Sequence, residues 1–126
     1  MRYHEGVTDP ETVSKPAADE AEASPFAAIA ALDRLIHDPS RLAILTALIE
    51  WAEADFPYLL GATGLTKGNL SSHLGKLEAG GLVQVSKGFK DKKPWTRVML
   101  TRDGRGRIQA HWEELERIRR ETMGLA

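Results

Sequence analysis

Residues 66–81, TKGNLSSHLGKLEAGG, decide how this sequence reads. Thr66 is suited to cap a helix, because a threonine hydroxyl accepts a bond from an otherwise unpaired N–H of the first turn. At about 100° per residue, Leu74 and Leu77 fall within about 40° of Leu70 and form one apolar stripe. Gly68, Ser72, Gly75, Lys76 and Ala79 face the opposite way, flanked by Asn69 and Ser71, and the double glycine at 80 and 81 stops the helix. An ordinary surface helix carries long charged side chains on its outer face. This one is small there, and each of its two interior glycines weakens the helix by roughly 1 kcal/mol relative to alanine. The use of such a face is close approach, and a major groove about 12 Å wide is a surface that such a helix enters.

Working upstream, Asp55 caps a short helix that uses Phe56, Leu59 and Leu60 and ends at Gly61. Residues 62–65 make a turn in which Gly64 is free to take positive φ. Two short helices joined by a glycine-bearing turn form a helix-turn-helix. Before them, Asp38-Pro39 starts the segment SRLAILTALIEWAEA, which is apolar nearly all round (Leu42, Ile44, Leu45, Leu48, Ile49, Trp51). That pattern predicts a central buried helix. Ser24-Pro25 repeats the start signal for a first helix reaching about residue 36, with Ile29, Leu32, Leu35 and Ile36 on one side. Residues 1–23 are rich in alanine, proline and acids, and are expected to form a flexible acidic tail.

Downstream, LVQVSK (82–87) and WTRVML (95–100) alternate apolar and polar residues and predict two antiparallel strands. The GFKDKKP between them is longer than a tight turn and is expected to project as a wing, with Phe89 or Trp95 anchoring it on the domain. Thr101 caps a last helix over 102–123, where Ile108, Trp112, Leu115 and Ile118 recur at helical spacing. Gly104 and Gly106 are expected to fray or bend its first turn. The fold class is mainly α with a small β-hairpin: a winged helix-turn-helix of about five helices and a two-stranded wing, occupying residues 24–123.

The net charge of −1 conceals an uneven distribution, since residues 66–107 hold ten Lys/Arg against three acids. Such a block is the footprint of phosphate binding, with a plain solvated face as the alternative. Thr66, Lys67, Asn69, Ser71, Ser72, His73 and Lys76 supply donors along the helix. Asn69 either pairs with adenine through its carboxamide or helps cap the helix, and His73 either reaches DNA or sits half-buried in the core. Lys87, Lys90, Lys92, Lys93 and Arg97 lie in and beside the wing, with Asp91 as its single acid. Flexible lysines suit sequence-independent phosphate contact.

The 126 residues make one domain, and the absence of cysteine removes disulfides, thiolate zinc sites and cysteine nucleophiles. No apolar run approaches the roughly 18 residues of a membrane span, and the N-terminus lacks a signal-peptide core. These features fit a cytoplasmic protein with no membrane partner. Four scattered histidines (His4, His37, His73, His111) form no catalytic constellation and no phosphate-binding glycine loop is present, so no enzyme and no cofactor is expected.

The blocks LDRLIHDPSRLAIL, LTKGNLSSHLGKLEAGGLVQVSKGF and KKPWTRVMLTRDGR resemble the winged helix regulators of the MarR/ArsR superfamily, over roughly residues 32–107. The resemblance implies that the second helix of the motif, 67–79, lies in the major groove. It also implies that the wing, 87–97, meets the flanking backbone or minor groove, and that terminal helices form a dimer. By position, Arg41 would contact a phosphate, and Ser72 stands where relatives often carry arginine, so operator preference does not transfer. The metal-sensing branch uses paired motifs in the last helix; here His111 and Glu114 keep one spacing, but Arg105 replaces a histidine ligand, and two ligands do not hold zinc. The expected protein is a homodimeric, sequence-specific regulator of double-stranded DNA with a pseudo-palindromic operator. Ile29, Leu32, Ile108, Trp112, Leu115 and Ile118 are its expected dimer contacts. The alternative is a winged-helix interaction module for an acidic partner. No effector is named by the sequence, and without a separate ligand domain one would have to bind at the dimer interface.

Overall fold

A computed structural model of the chain describes residues 24–124. The tail expected at 1–23 lies outside the described residues. The chain divides into two compact units after Ala31. In the first, α1 (Pro25–Ala30) begins at Ser24, whose side chain accepts from the Ala27 N–H, and has no buried residue.

The second unit contains α2 (Pro39–Trp51), β1 (Glu53–Asp55), α3 (Phe56–Thr63), α4 (Lys67–Ala79), β2 (Val83–Lys90), β3 (Lys93–Leu100) and α5 (Arg102–Met123). Its helices start where the sequence places caps. Asp38, Asp55, Thr66 and Thr101 accept from the N–H groups of Arg41, Tyr58, Asn69 and Gly104. Each bond satisfies one of the donors that a helix N-terminus leaves unpaired. Among the described residues, no helix is long and apolar enough to cross a membrane.

One continuous core joins Ile44, Leu45 and Leu48 of α2, Leu59 of α3, Leu70, Leu74 and Leu77 of α4, Leu82 just before β2, Val83 and Val98 of the sheet, and Ile108 of α5. The leucine stripe of α4 is therefore the face that packs inward. Trp51 departs from the expected all-round burial of α2: it is 58% exposed and donates its indole N–H to the Tyr58 hydroxyl at 2.8 Å.

Four elements differ from the sequence expectation. The first helix stops at Ala30 rather than near residue 36. Beyond it, the Asp33 carboxylate accepts from the Leu35 N–H at 2.9 Å and from Arg107 at 2.6 Å. A short acidic side chain that bonds its neighbouring backbone competes with helix formation. Leu32 therefore lies in a loop and not on a helical stripe. Second, Ala52 takes φ +65° after α2, and residues 53–55 pair with 97–99 of β3, giving a three-stranded antiparallel sheet in the order β1-β3-β2. Third, α3 runs two residues past Gly61 to Thr63, with left-handed Gly64 closing it at φ +72°.

The fourth difference concerns the wing. β2 and β3 pair continuously from Val83↔Leu100 to Lys90↔Lys93, so the loop is the two-residue turn Asp91-Lys92 and not seven residues. Both turn residues have positive φ, 53° and 67°, the signature of a type I′ hairpin whose twist matches the strands. Pro94 sits within the ladder without cost. Lys90 and Lys93 close the turn as a hydrogen-bonded pair, so Phe89↔Pro94 is the following non-bonded pair and needs no proline N–H.

Gly104 does not fray α5. A side chain there would run into the Leu82 carbonyl, so the missing Cβ lets the first turn of α5 sit against the end of α4 and the start of β2. At the same junction the Thr101 hydroxyl donates to the Gly81 carbonyl at 2.7 Å.

Candidate nucleic-acid interface

The outer face of α4 is open. Thr66, Lys67, Gly68, Asn69, Ser71, Ser72, Gly75 and Lys76 are all exposed, and a Cβ added at Gly68 or Gly75 would meet nothing within 4 Å. Thr66 uses its hydroxyl to accept from the Asn69 N–H at 3.1 Å. The cap is thus the threonine side chain, and among the described residues the Asn69 carboxamide has no partner.

His73 is half-buried at the side of this face, where its Nδ1 receives Arg41 Nη1 at 3.1 Å. An Nδ1 that accepts leaves the ring proton on Nε2. The guanidinium of Arg41 also donates to the carbonyls of Leu35 at 2.6 Å and Arg34 at 3.2 Å, and its side chain is only 12% exposed. Arg41 therefore ties the loop before α2 to α4, with its donors largely engaged inside the chain. Asp38 lies nearby with its carboxyl held below the ordinary range by the Arg41 backbone N–H and the adjacent Arg41 charge.

The wing is fixed to the helix-turn-helix at two points, one through Glu78, which sequence reading missed, and one through Trp95, which it offered as an anchor together with Phe89. The Glu78 carboxylate, near the end of α4, accepts from the Val85 N–H on β2 at 2.9 Å. Asp55 caps α3 and also receives the Trp95 indole N–H at 3.2 Å. The Tyr58 backbone N–H and the Trp95 indole both favour its ionised form and lower its pKa. Trp95 is the anchor of the two aromatic residues proposed, while Phe89 is 76% exposed and anchors nothing. No local signal could have chosen between them, because Asp55 is 40 residues from Trp95.

Of the wing cations, Lys87, Lys90, Lys92 and Lys93 are exposed. Lys90 and Arg97 each lie 4.9 Å from the Trp95 ring centroid. Arg97 also pairs with Glu53 at 2.7 Å, so part of its charge is used at the sheet's base. Between α4 and the hairpin runs a groove of about 200 Å³, lined by Ser71, Leu74, Gly75 and Glu78 on one side and Val85, Lys87 and Thr96 on the other. The small helix face and the cationic strands thus flank one depression.

The expected dimer residues separate into two sets. Ile29 and Trp112 are exposed, and Leu32 and Leu115 are half-buried. Ile108 belongs to the core, and Ile118 is buried at 5% exposure. Among the described residues, no group of three potential metal ligands comes together. His111 is buried against His37, with Nε2 and Nδ1 3.1 Å apart, and Glu114 is held by Arg117.

A helix-turn-helix whose second helix leaves a small, donor-bearing face open beside a basic two-stranded wing defines a winged helix of the DNA-binding class. The sequence matches the family described as winged helix DNA-binding domain over residues 40–119, and the chain belongs to that family. It is similar to the transcriptional regulator homologue protein from Pyrococcus horikoshii OT3, at 30% identity and a TM-score of 0.68, over 75% of this chain and 92% of that one. BpsR of Bordetella bronchiseptica, whose DNA binding is regulated by 6-hydroxynicotinic acid, shares the fold with a TM-score of 0.60 at 19% identity, over 86% of this chain and 81% of its own. A MarR-family transcriptional regulator from Silicibacter pomeroyi gives a TM-score of 0.57 at 22% identity, covering 81% and 66%. No curated protein sequence matches this one. The fold is accordingly a winged helix, shared with a transcriptional regulator homologue and with a MarR-family regulator.

Proposed function

We propose that the chain is a transcriptional regulator that binds a specific DNA sequence as a homodimer in the cytoplasm, and that it has no enzymatic role. The observation that carries this reading is the exposed small face of α4 (Gly68, Ser71, Ser72, Gly75) beside the lysines of the hairpin. In this reading Asn69, Ser71 and Ser72 meet base edges in the major groove, with Lys67, His73 and Lys76 toward the phosphates. Lys87, Lys90, Lys92 and Lys93 hold the flanking backbone or minor groove. Arg41 acts through His73 and Asp38, positioning α4, more than by reaching a phosphate itself. Support for regulation comes from the 30% identity to a transcriptional regulator homologue. Trp112 and Leu115 on α5 are the positions proposed for the dimer contact, since each keeps apolar surface outside the core.

Selection of bound sequences from a random duplex library tests the proposal. A two-fold dimer predicts an enriched pseudo-palindrome with half-sites one helical turn, about 34–36 Å, apart. Sedimentation equilibrium on the same preparation should give the dimer mass. Recovery of no enriched sequence would contradict the reading and favour an acidic protein partner for the basic block.

A further inference from the structure

We propose that Phe89 is an apolar wedge that enters a base step from the minor groove and kinks the bound duplex. The inference rests on the DNA-binding reading above and goes beyond it by assigning the wing a role in deforming the DNA. Phe89 is the most exposed large apolar side chain among the described residues, at 76%. It lies one pair back from the Asp91-Lys92 turn, opposite Pro94, so the two make an apolar tip on a regular hairpin.

Its direction follows from strand alternation, in which every second side chain shares a face. Val83, Val85, Lys87 and Phe89 lie on one face of β2. Val85 and Lys87 of that face line the groove beside Ser71 and Gly75 of α4. Phe89 continues the same row past the end of α4's cover, on the side where α4 presents itself. It has no core to join, since the Trp95–Asp55 bond already anchors the wing from the opposite face.

The surroundings select the partner. Lys87 shares the ring's face and Lys92 lies in the adjoining turn beside the acid Asp91, while Lys90 and Lys93 lie on the opposite face, Lys90 over Trp95. An exposed aromatic ring on a hairpin that carries four lysines suits a polyanion with an apolar interior better than a protein surface. Duplex DNA is that partner: phosphates flank a minor groove about 6 Å wide, and its base steps accept phenylalanine or proline between them. Pyrimidine–purine steps unstack with least resistance, so the wedge predicts TA or CA/TG steps beneath each wing without a base-specific hydrogen bond.

The test uses the full chain and an end-labelled duplex of about 30 base pairs taken from the selection, long enough for two half-sites. Wild type should shorten the end-to-end distance measured by energy transfer. Phe89→Ala should remove most of that bend and weaken binding about tenfold, the scale of one lost base–aromatic contact. It should leave the slope of log K against log salt unchanged. Phe89→Leu should retain the bend, and Lys93→Ala should do the converse, lowering the slope by about one with the bend intact. Wild-type bending and affinity in Phe89→Ala would overturn the wedge while leaving DNA binding in place. A shift of Phe89→Ala from dimer to monomer in sedimentation would instead seat the tip on a second copy of the chain. If wild type retains no duplex at all, the functional reading fails first and the wedge with it.

Discussion

Gly104 and Gly106 are two residues apart on the same helix and have opposite roles. At Gly104 a Cβ would collide with the Leu82 carbonyl, whereas at Gly106 it would meet open space. Gly106→Ala should therefore stabilise the chain by roughly 0.5–1 kcal/mol, the helix-propensity gain. Gly104→Ala should destabilise it by about 1–3 kcal/mol despite the same gain, because backbone must move. Urea unfolding of the two variants checks the pair, and equal effects would mean that α5 does not pack as closely as described. His111 gives a second residue-scale expectation. Burial, with the His37 charge beside it, pushes its pKa below the usual value, while Asp33 and Glu114 pull only weakly the other way. The folded chain thus prefers the neutral ring. That contribution is fully present above about pH 6.5, the unfolded value, and is lost as pH falls toward the lowered folded value. Melting temperature should fall between about pH 7 and pH 5, and His111→Gln should flatten that fall.

At the scale of elements, the hairpin turn carries a testable strain. Lys92 adopts φ +67°, a region that costs a non-glycine residue roughly 1–2 kcal/mol. Lys92→Gly should raise stability by about 1 kcal/mol and weaken DNA binding through loss of one cation, two changes of opposite sign in one variant. Thermal unfolding and a titration on the selected duplex measure both. The same elements explain what was legible in the sequence. Every helix start was, because Ser24, Asp38, Asp55, Thr66 and Thr101 act on a backbone N–H three residues away. The leucine stripe and open face of α4 were legible for the same reason, being periodic and local. The end of α1, strand β1 and the tight wing were not. Asp33 is engaged by Arg107 and Glu53 is paired with Arg97, partners 74 and 44 residues away. Gly88 and Pro94 look like loop punctuation until pairing register places proline at a position that needs no N–H.

Over the whole molecule, the proposed functional surface is an arrangement of charge and size on one side of an ordinary core. Much of the candidate site could be named from sequence because exposure and charge on α4 and the hairpin follow from their periodicity. The partners of Arg41, Glu78 and Trp95 could not, since each depends on what the fold brings beside it. Glu78 holds the open edge of β2 to α4, and Asp55 ties Trp95 to the start of α3, so the hairpin is fixed to the helix-turn-helix at two separate points. Ser72 lies on the open face of α4 proposed to enter the groove, exposed and away from the core. The most direct test of its placement is a mobility-shift titration of wild type and Ser72→Glu on the selected duplex. A carboxylate forced against base edges and phosphates should lower affinity by about a hundredfold or more, with a like-charge and desolvation cost of several kcal/mol, while the melting temperature stays within a few degrees. Wild-type affinity in Ser72→Glu would contradict the claim that α4 occupies the groove.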